Sequence, residues 1–193
     1  MRGAWSVKRR AGPFAVCCLF FALSFLLSAC TMPGDAASIV KIGVIAPFEG
    51  AGRPLGYAVL PAIKAAAAEA NASGALGRYQ VLVVAFNDDL YGPTAAAQAQ
   101  ALAVDPEVLA VIGPWSTETV AAAAPILAAA GLPVLTSAGT STPPPGENWR
   151  DAALAEAATR AGNDVRLLLA ALAADIRAHG RPTRGGVGTA LKK

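Results

Sequence analysis

Two apolar patterns alternate between residues 39 and 136. Short continuous runs give way to longer stretches in which apolar residues recur every three or four positions. The runs at 39–45, 81–86, 109–112 and 132–136 are rich in Val, Ile and Leu, which predicts strands of the fully buried kind. Val59, Leu60, Ile63, Ala67 and Ala70 mark one face of a helix over 57–72, which Ser73-Gly74 should stop. Segments 94–104 and 117–130 predict two further helices, the second ended by Gly131. Pro61 lies inside the first helix, so that helix is expected to start late or to bend there. Strand and helix in alternation require a parallel sheet, because each crossover returns the chain to the same direction and its helix must cover a face. The expected fold class is therefore α/β, a three-layer doubly wound parallel sheet.

Two breaks divide the chain. Pro143-Pro144-Pro145-Gly146 ends the alternating region. Beyond it Val165, Leu168, Leu169, Leu172 and Ile176 form one apolar helical stripe, with Asn163 or Asp164 expected to cap its start and Gly180 its end. That stripe needs a sheet face to cover. At the other end, Arg2, Lys8, Arg9 and Arg10 precede an apolar run over 14–27 and small residues before Cys30, the layout of an export signal. The run is short for a membrane span, which needs about 20 residues. The expected organisation is a signal peptide at 1–29, a tether at 30–38, a first lobe at 39–142, a Pro-rich junction at 143–149 and a helical segment at 150–193 that packs on the same lobe.

Removing the leader changes the charge. Of 16 basic residues, four lie in the leader; the remaining 12 face 13 acidic ones, a formal charge of −1. The balance gives no support for nucleic-acid binding. Cys17 and Cys18 also fall in the leader, so a mature chain beginning at Cys30 has no disulfide to form. Enzyme chemistry finds little footing. His179 is the only histidine and sits at a helix end beside Gly180. A His/Cys metal cluster, a catalytic cysteine and a phosphate loop followed by Lys are all missing from the sequence, so neither a cofactor nor a metal is expected. Asp88 and Asp89 read as residues that solvate or cap a turn. Asn71-Ala72-Ser73 fits a glycosylation triplet and is read as idle.

Two resemblances add to this reading. Leu27-Ser28-Ala29-Cys30 resembles the lipobox of bacterial lipoproteins, which implies cleavage before Cys30 and acylation of that residue as the anchor in a lipid bilayer. An uncleaved signal anchor with Cys30 an incidental thiol is the alternative. The second is carried by a series of landmarks: Lys41-Ile42-Gly43-Val44-Ile45-Ala46-Pro47, Glu69-Ala70-Asn71-Ala72-Ser73-Gly74, Asn87-Asp88-Asp89, Val111-Ile112-Gly113-Pro114, and Gly131 through Thr140. In order and spacing these resemble the type I periplasmic binding proteins of the branched-chain amino acid kind. The resemblance implies a Rossmann-like lobe and a substrate-binding role beside an ABC permease in the membrane, outside the cytoplasm, with an amino acid or similar small solute as ligand. Family members have two lobes that close on the ligand. This chain is expected to hold one, lacking most of the second.

Ligands of open α/β sheets sit outside the carboxyl ends of the strands. Ser116 and Thr117 follow the third strand and open a helix whose free N–H groups favour an anion. Residues 137–140 follow the fourth strand. By the resemblance, Thr117, Ala138 and Thr140 match positions that hold the amino and carboxylate groups of an amino acid. Gly139 lies within that loop, Ser116 adds a hydroxyl, and Phe48 and Glu49 rim the cleft. The plainer alternative is that Ser116 and Thr117 cap a helix and the later segment forms a turn. A non-binding lipoprotein that acts through protein contacts is the competing function.

Overall fold

The computed structural model describes residues 37–136 and 149–193. The leader, the tether with Cys30, the loop with Ala138, Gly139 and Thr140, and the Pro-rich run lie outside the described residues. Four parallel strands form one sheet in the order β2-β1-β3-β4. They are β1 (Ser38–Ala46), β2 (Tyr79–Asn87), β3 (Val108–Ile112) and β4 (Val134–Leu135). Helices α1 (Arg53–Ser73), α2 (Gly92–Val104) and α3 (Thr117–Ala129) make the crossovers. A long helix α4 (Trp149–His179) and a short one, α5 (Arg184–Ala190), complete the described fold.

Alternation along β1 sorts the core into two layers. Val40, Ile42, Val44 and Ala46 face one side with Val59 and Ile63 of α1 and Val165, Leu168 and Leu172 of α4. Ile45 faces the other side with Ala95, Ala99 and Leu102 of α2 and Ala123 and Leu127 of α3. Small residues dominate α2 and α3, so their backbones can approach the sheet closely. The sheet is thus doubly wound, with α4, which arrives from far along the chain, completing one of its covers.

Several local details differ from the sequence expectations. The first helix does not start late: it begins at Arg53, with Pro54 in its first turn, where a fixed φ is pre-organised for helix. Pro61 is exposed, so water can serve the carbonyl that its missing N–H leaves over. Asn163 and Asp164 do not cap a helix start, because α4 already runs through them from Trp149. The Ala-rich stretch before them has high helix propensity, and an i,i+4 pair between Glu156 and Arg160 at 3.2 Å supports it. The strand at 81–86 is not fully buried: β2 is an edge strand, and Leu82 is 48% exposed.

The end of α4 follows the sequence more closely. Gly180, at φ +74°, terminates the helix and its N–H donates to Ile176 O at 2.7 Å. His179 is satisfied at this helix end. Its Nδ1 lies 2.6 Å from Oδ1 of the buried Asp175, whose Oδ2 accepts the Thr183 N–H at 2.8 Å. Arg184 then crosses to the amino-terminal edge of the sheet. Its guanidinium donates to Val108 O at 2.9 Å and to Ala103 O and Ala130 O at 3.1 Å each, and also to Asp105 O. One side chain therefore serves carbonyls at the ends of both α2 and α3, which helices leave without partners. Beside it, Lys41 Nζ pairs with Asp105 at 2.8 Å and Glu107 at 2.7 Å. Among the described residues no helix is long and apolar enough to cross a membrane.

The cover that α4 provides can be weighed by mutation. Leu168→Ala or Leu172→Ala should each cost about 2–5 kcal/mol in urea unfolding, since both side chains are fully buried. Leu167→Ala, on the same helix but 52% exposed, should stay within about 0.5 kcal/mol. Equal effects at the three positions would show that α4 does not seal the sheet.

Candidate functional site

All four strands point their carboxyl ends the same way, so the loops after them meet along one edge. Residues 47–49 follow β1, 88–89 follow β2, 113–116 follow β3 and Thr136 follows β4. Phe48 and Glu49 thus follow one strand, and Ser116 and Thr117 the strand beside it in the sheet. Ala138, Gly139 and Thr140 lie outside the described residues, so this edge is described without them.

Polar side chains tie neighbouring loops in pairs. Asn87 Oδ1 accepts the Phe48 N–H at 2.7 Å, joining the loops after β2 and β1. Thr136 Oγ1 donates to Pro114 O, joining those after β4 and β3. Gly113 lets the β3 loop pass close to β1. Its φ is +84°, and a Cβ there would collide with Ile45 O. Phe48 is half-buried and meets Tyr57 edge to face, with ring centroids 6.5 Å apart. Glu49 is exposed and heads a short 3-10 turn, Gly50–Gly52, without a side-chain cap bond.

Ser116 is the N-cap of α3. Its Oγ accepts the Thr119 N–H at 3.1 Å, while Thr119 Oγ1 accepts the Ser116 N–H at 3.3 Å, a reciprocal capping box. The Ser116 carbonyl receives Val120 N–H at 2.9 Å. Its hydroxyl is therefore committed to the helix. Among the described residues, the N–H groups of Thr117 and Glu118 are left at the mouth of α3, together with the exposed Thr117 hydroxyl. The Glu118 carboxylate turns away and accepts the Gly92 N–H at 2.9 Å, linking the starts of α3 and α2. A mouth of free N–H groups attracts a carboxylate, and the nearby charge of Glu118 opposes it.

Asp88 caps its turn from a buried position rather than solvating it. It is fully buried, its Oδ1 accepts the Leu90 N–H at 3.0 Å, and its Oδ2 has no hydrogen-bond partner among the described residues. Burial pushes its carboxyl above the ordinary value of 3.8, against the pull of the Leu90 amide, and the charge of Asp89 adds to the rise. Asp89 stays exposed and bonds Asn87 Nδ2 at 2.7 Å. Asn87 entered the sequence reading only as part of a family landmark, and Glu118 did not enter it. For Asn87 a signal existed, since Asn at a strand end readily bonds nearby backbone. For Glu118 none did.

The sequence profile of the periplasmic binding protein family matches residues 39–150, and the chain belongs to that family. Its parallel α/β lobe is that of the type I, leucine/isoleucine/valine-binding-like members. The branched-chain amino acid transporter substrate-binding protein of Streptococcus pneumoniae, solved with isoleucine, is similar at 28% identity and a TM-score of 0.50, over 54% of this chain and 30% of that one. A structure from Rhodopirellula baltica, described as a possible leucine/isoleucine/valine-binding protein, is similar at 28% identity and a TM-score of 0.50, over 53% of this chain and 28% of that one. The match thus spans less than a third of either relative. No curated protein matches the chain.

Asp88 generates a signed expectation. A carboxyl raised on folding binds its proton more tightly in the native state, so its contribution is fully present below the ordinary value of 3.8 and is lost as pH rises through the folded value. Asp88→Asn keeps an acceptor for Leu90 and removes the charge. Its stability relative to the native chain should therefore grow as pH rises above 3.8, and level off once the native carboxyl has ionised. Thermal unfolding across that range checks it; a pH-independent difference between the two proteins would contradict the assignment.

Proposed function

We propose that the chain is a lobe of an extracytoplasmic substrate-binding protein, serving an ABC permease and taking up a branched-chain or other small amino acid, with the lipidated Cys30 as its membrane anchor. The observation that carries the reading is the mouth of α3. Thr117 and Glu118 there offer N–H groups, and Thr117 an exposed hydroxyl, on the strand edge where α/β sheets hold ligands. The solute carboxylate would sit against those donors, and its side chain would lie toward Phe48. Ser116 supports the site by fixing the helix start, and Glu49 borders it. Ala138, Gly139 and Thr140 complete the reading on the side of β4, where a carbonyl would take the ammonium group and a hydroxyl and amide the carboxylate.

A second reading, a lobe that acts through protein contacts alone, is favoured by the negative charge of Glu118 beside those donors. An open edge also leaves a bound carboxylate in competition with water. Titration calorimetry with leucine, isoleucine and valine separates the two. Solute capture by this lobe predicts heat and a thermal shift at roughly millimolar affinity. Absence of both at about 10 mM of each amino acid would leave the contact reading standing. Glu118→Gln retains an acceptor for Gly92 and removes the charge, so it should tighten carboxylate binding about two- to fivefold, near 0.3–1 kcal/mol.

A further inference from the structure

The outer edge of β2 is stopped by one side chain. Asn71, near the end of α1, accepts the Val81 N–H at 2.8 Å through Oδ1 and donates to Val81 O at 2.9 Å through Nδ2. Both backbone groups of one residue are thus met by a single amide, in the pairing a neighbouring strand would make. The alternation of a parallel strand sets which groups of β2 point away from the sheet. Asp88 N–H bonds Ala46 O on β1 at 3.2 Å, so even-numbered residues of β2 face β1. Odd-numbered ones face outward. Tyr79 N–H is taken by Leu76 O at 3.2 Å, Val81 by Asn71, and no described residue bonds the outward groups of Val83 and Ala85.

We propose that Asn71 is an edge stop, whose amide confines β2 to its own sheet and whose removal opens this edge to a second copy of the chain. The partner is argued from β2 itself. From Tyr79 to Asn87 the strand carries no charged side chain, so two copies brought together antiparallel meet no repulsion, and Leu82 is 48% exposed. About a two-fold axis, Val83 of each copy would face Ala85 of the other, and each such pair exchanges two hydrogen bonds. The ladder would extend to Val81 against Asn87 only if the amide of Asn71 were gone. An uncharged edge is a pairing hazard that proteins usually blunt with charge, proline or a cover; here a side chain occupies the register instead.

Sedimentation velocity on the full chain in a non-ionic detergent tests the proposal with Asn71→Ala, Ala85→Pro and the double variant. Proline is tolerated at an outward-facing edge position and removes the donor an added strand would need. The native chain and Ala85→Pro should sediment as monomers at about 100 μM. Asn71→Ala should raise the self-association constant at least about tenfold, a gain of about 1.4 kcal/mol, and the double variant should return to monomer. A monomeric Asn71→Ala, or association that Ala85→Pro does not reverse, overturns the proposal. Hydrogen exchange on the native chain reads the contact without any substitution. Val81 should exchange at least about tenfold more slowly than Val83 and Ala85, and equal rates would likewise overturn it.

Discussion

A parallel sheet has two apolar faces, and each must be covered before the chain gains from forming it. Everything else in this fold depends on how that demand is met. On one face the cover is local: α2 and α3 lie within the sequence that builds the strands, and their alanines let them lie close. On the other face α1 is joined by α4, which begins beyond β4 and returns to bury Val165, Leu168 and Leu172 against Ile42 and Val44. Without α4, residues such as Ile42 and Ile63, now fully buried, would lose part of that shelter. The apolar stripe of α4 and the sheet face therefore stabilise one another, at roughly 25 cal/mol per Å² of apolar surface removed from water.

The two edges of the sheet are used differently. At the amino-terminal edge, polar groups are consumed in holding the layers together. Arg184 gathers carbonyls from the ends of α2 and α3 and from β3, while Lys41 draws in Asp105 and Glu107. Asp105 is held below the ordinary carboxylate value by its bond from Lys41, and Lys41 is raised in turn by Asp105 and then Glu107. Both shifts favour the charged pair. At the carboxyl-terminal edge the loops are also bound to one another, through Asn87 and Thr136, yet among the described residues the first N–H groups of α3 stay uncommitted. One edge closes the fold and the other leaves donors facing outward.

Strand and helix order was legible because each element is long enough, and its period regular enough, for burial to mark it. The stripe of α4 could be seen for the same reason. What could not be read was anything set by a partner distant in sequence. The capping role of Asp88 could be read, but not its burial, and Arg184 looks like one more surface cation until 76 residues of separation from Val108 are closed. The exposure of β2 depends on its place in the strand order, which a run of Val and Leu does not encode. Asn163 misled for a local reason. An Asn–Asp pair is a good helix start, but the preceding Ala-rich segment was a better helix continuation. At the candidate site, Ser116 and Thr117 were placed by the rule that ligands lie beyond parallel strand ends, and Phe48 and Glu49 by the family resemblance. The fate of the Ser116 hydroxyl required the capping geometry itself.

Stability and ligand capture are separable in such an architecture. The core closes on two faces and at the amino-terminal edge, and none of those contacts involves Thr117 or Glu49. A solute at the opposite edge would gain charge-assisted hydrogen bonds from the mouth of α3, but each stands in contact with water, where a unit charge pair at 4 Å is worth only about 1 kcal/mol. Enclosure raises that figure several-fold by excluding solvent, so affinity depends on a facing wall far more than the fold does. A lobe of this design can therefore persist folded while its binding strength is set by whatever closes over it. The residues proposed to hold a solute and the residues that hold the sheet answer to different physical constraints.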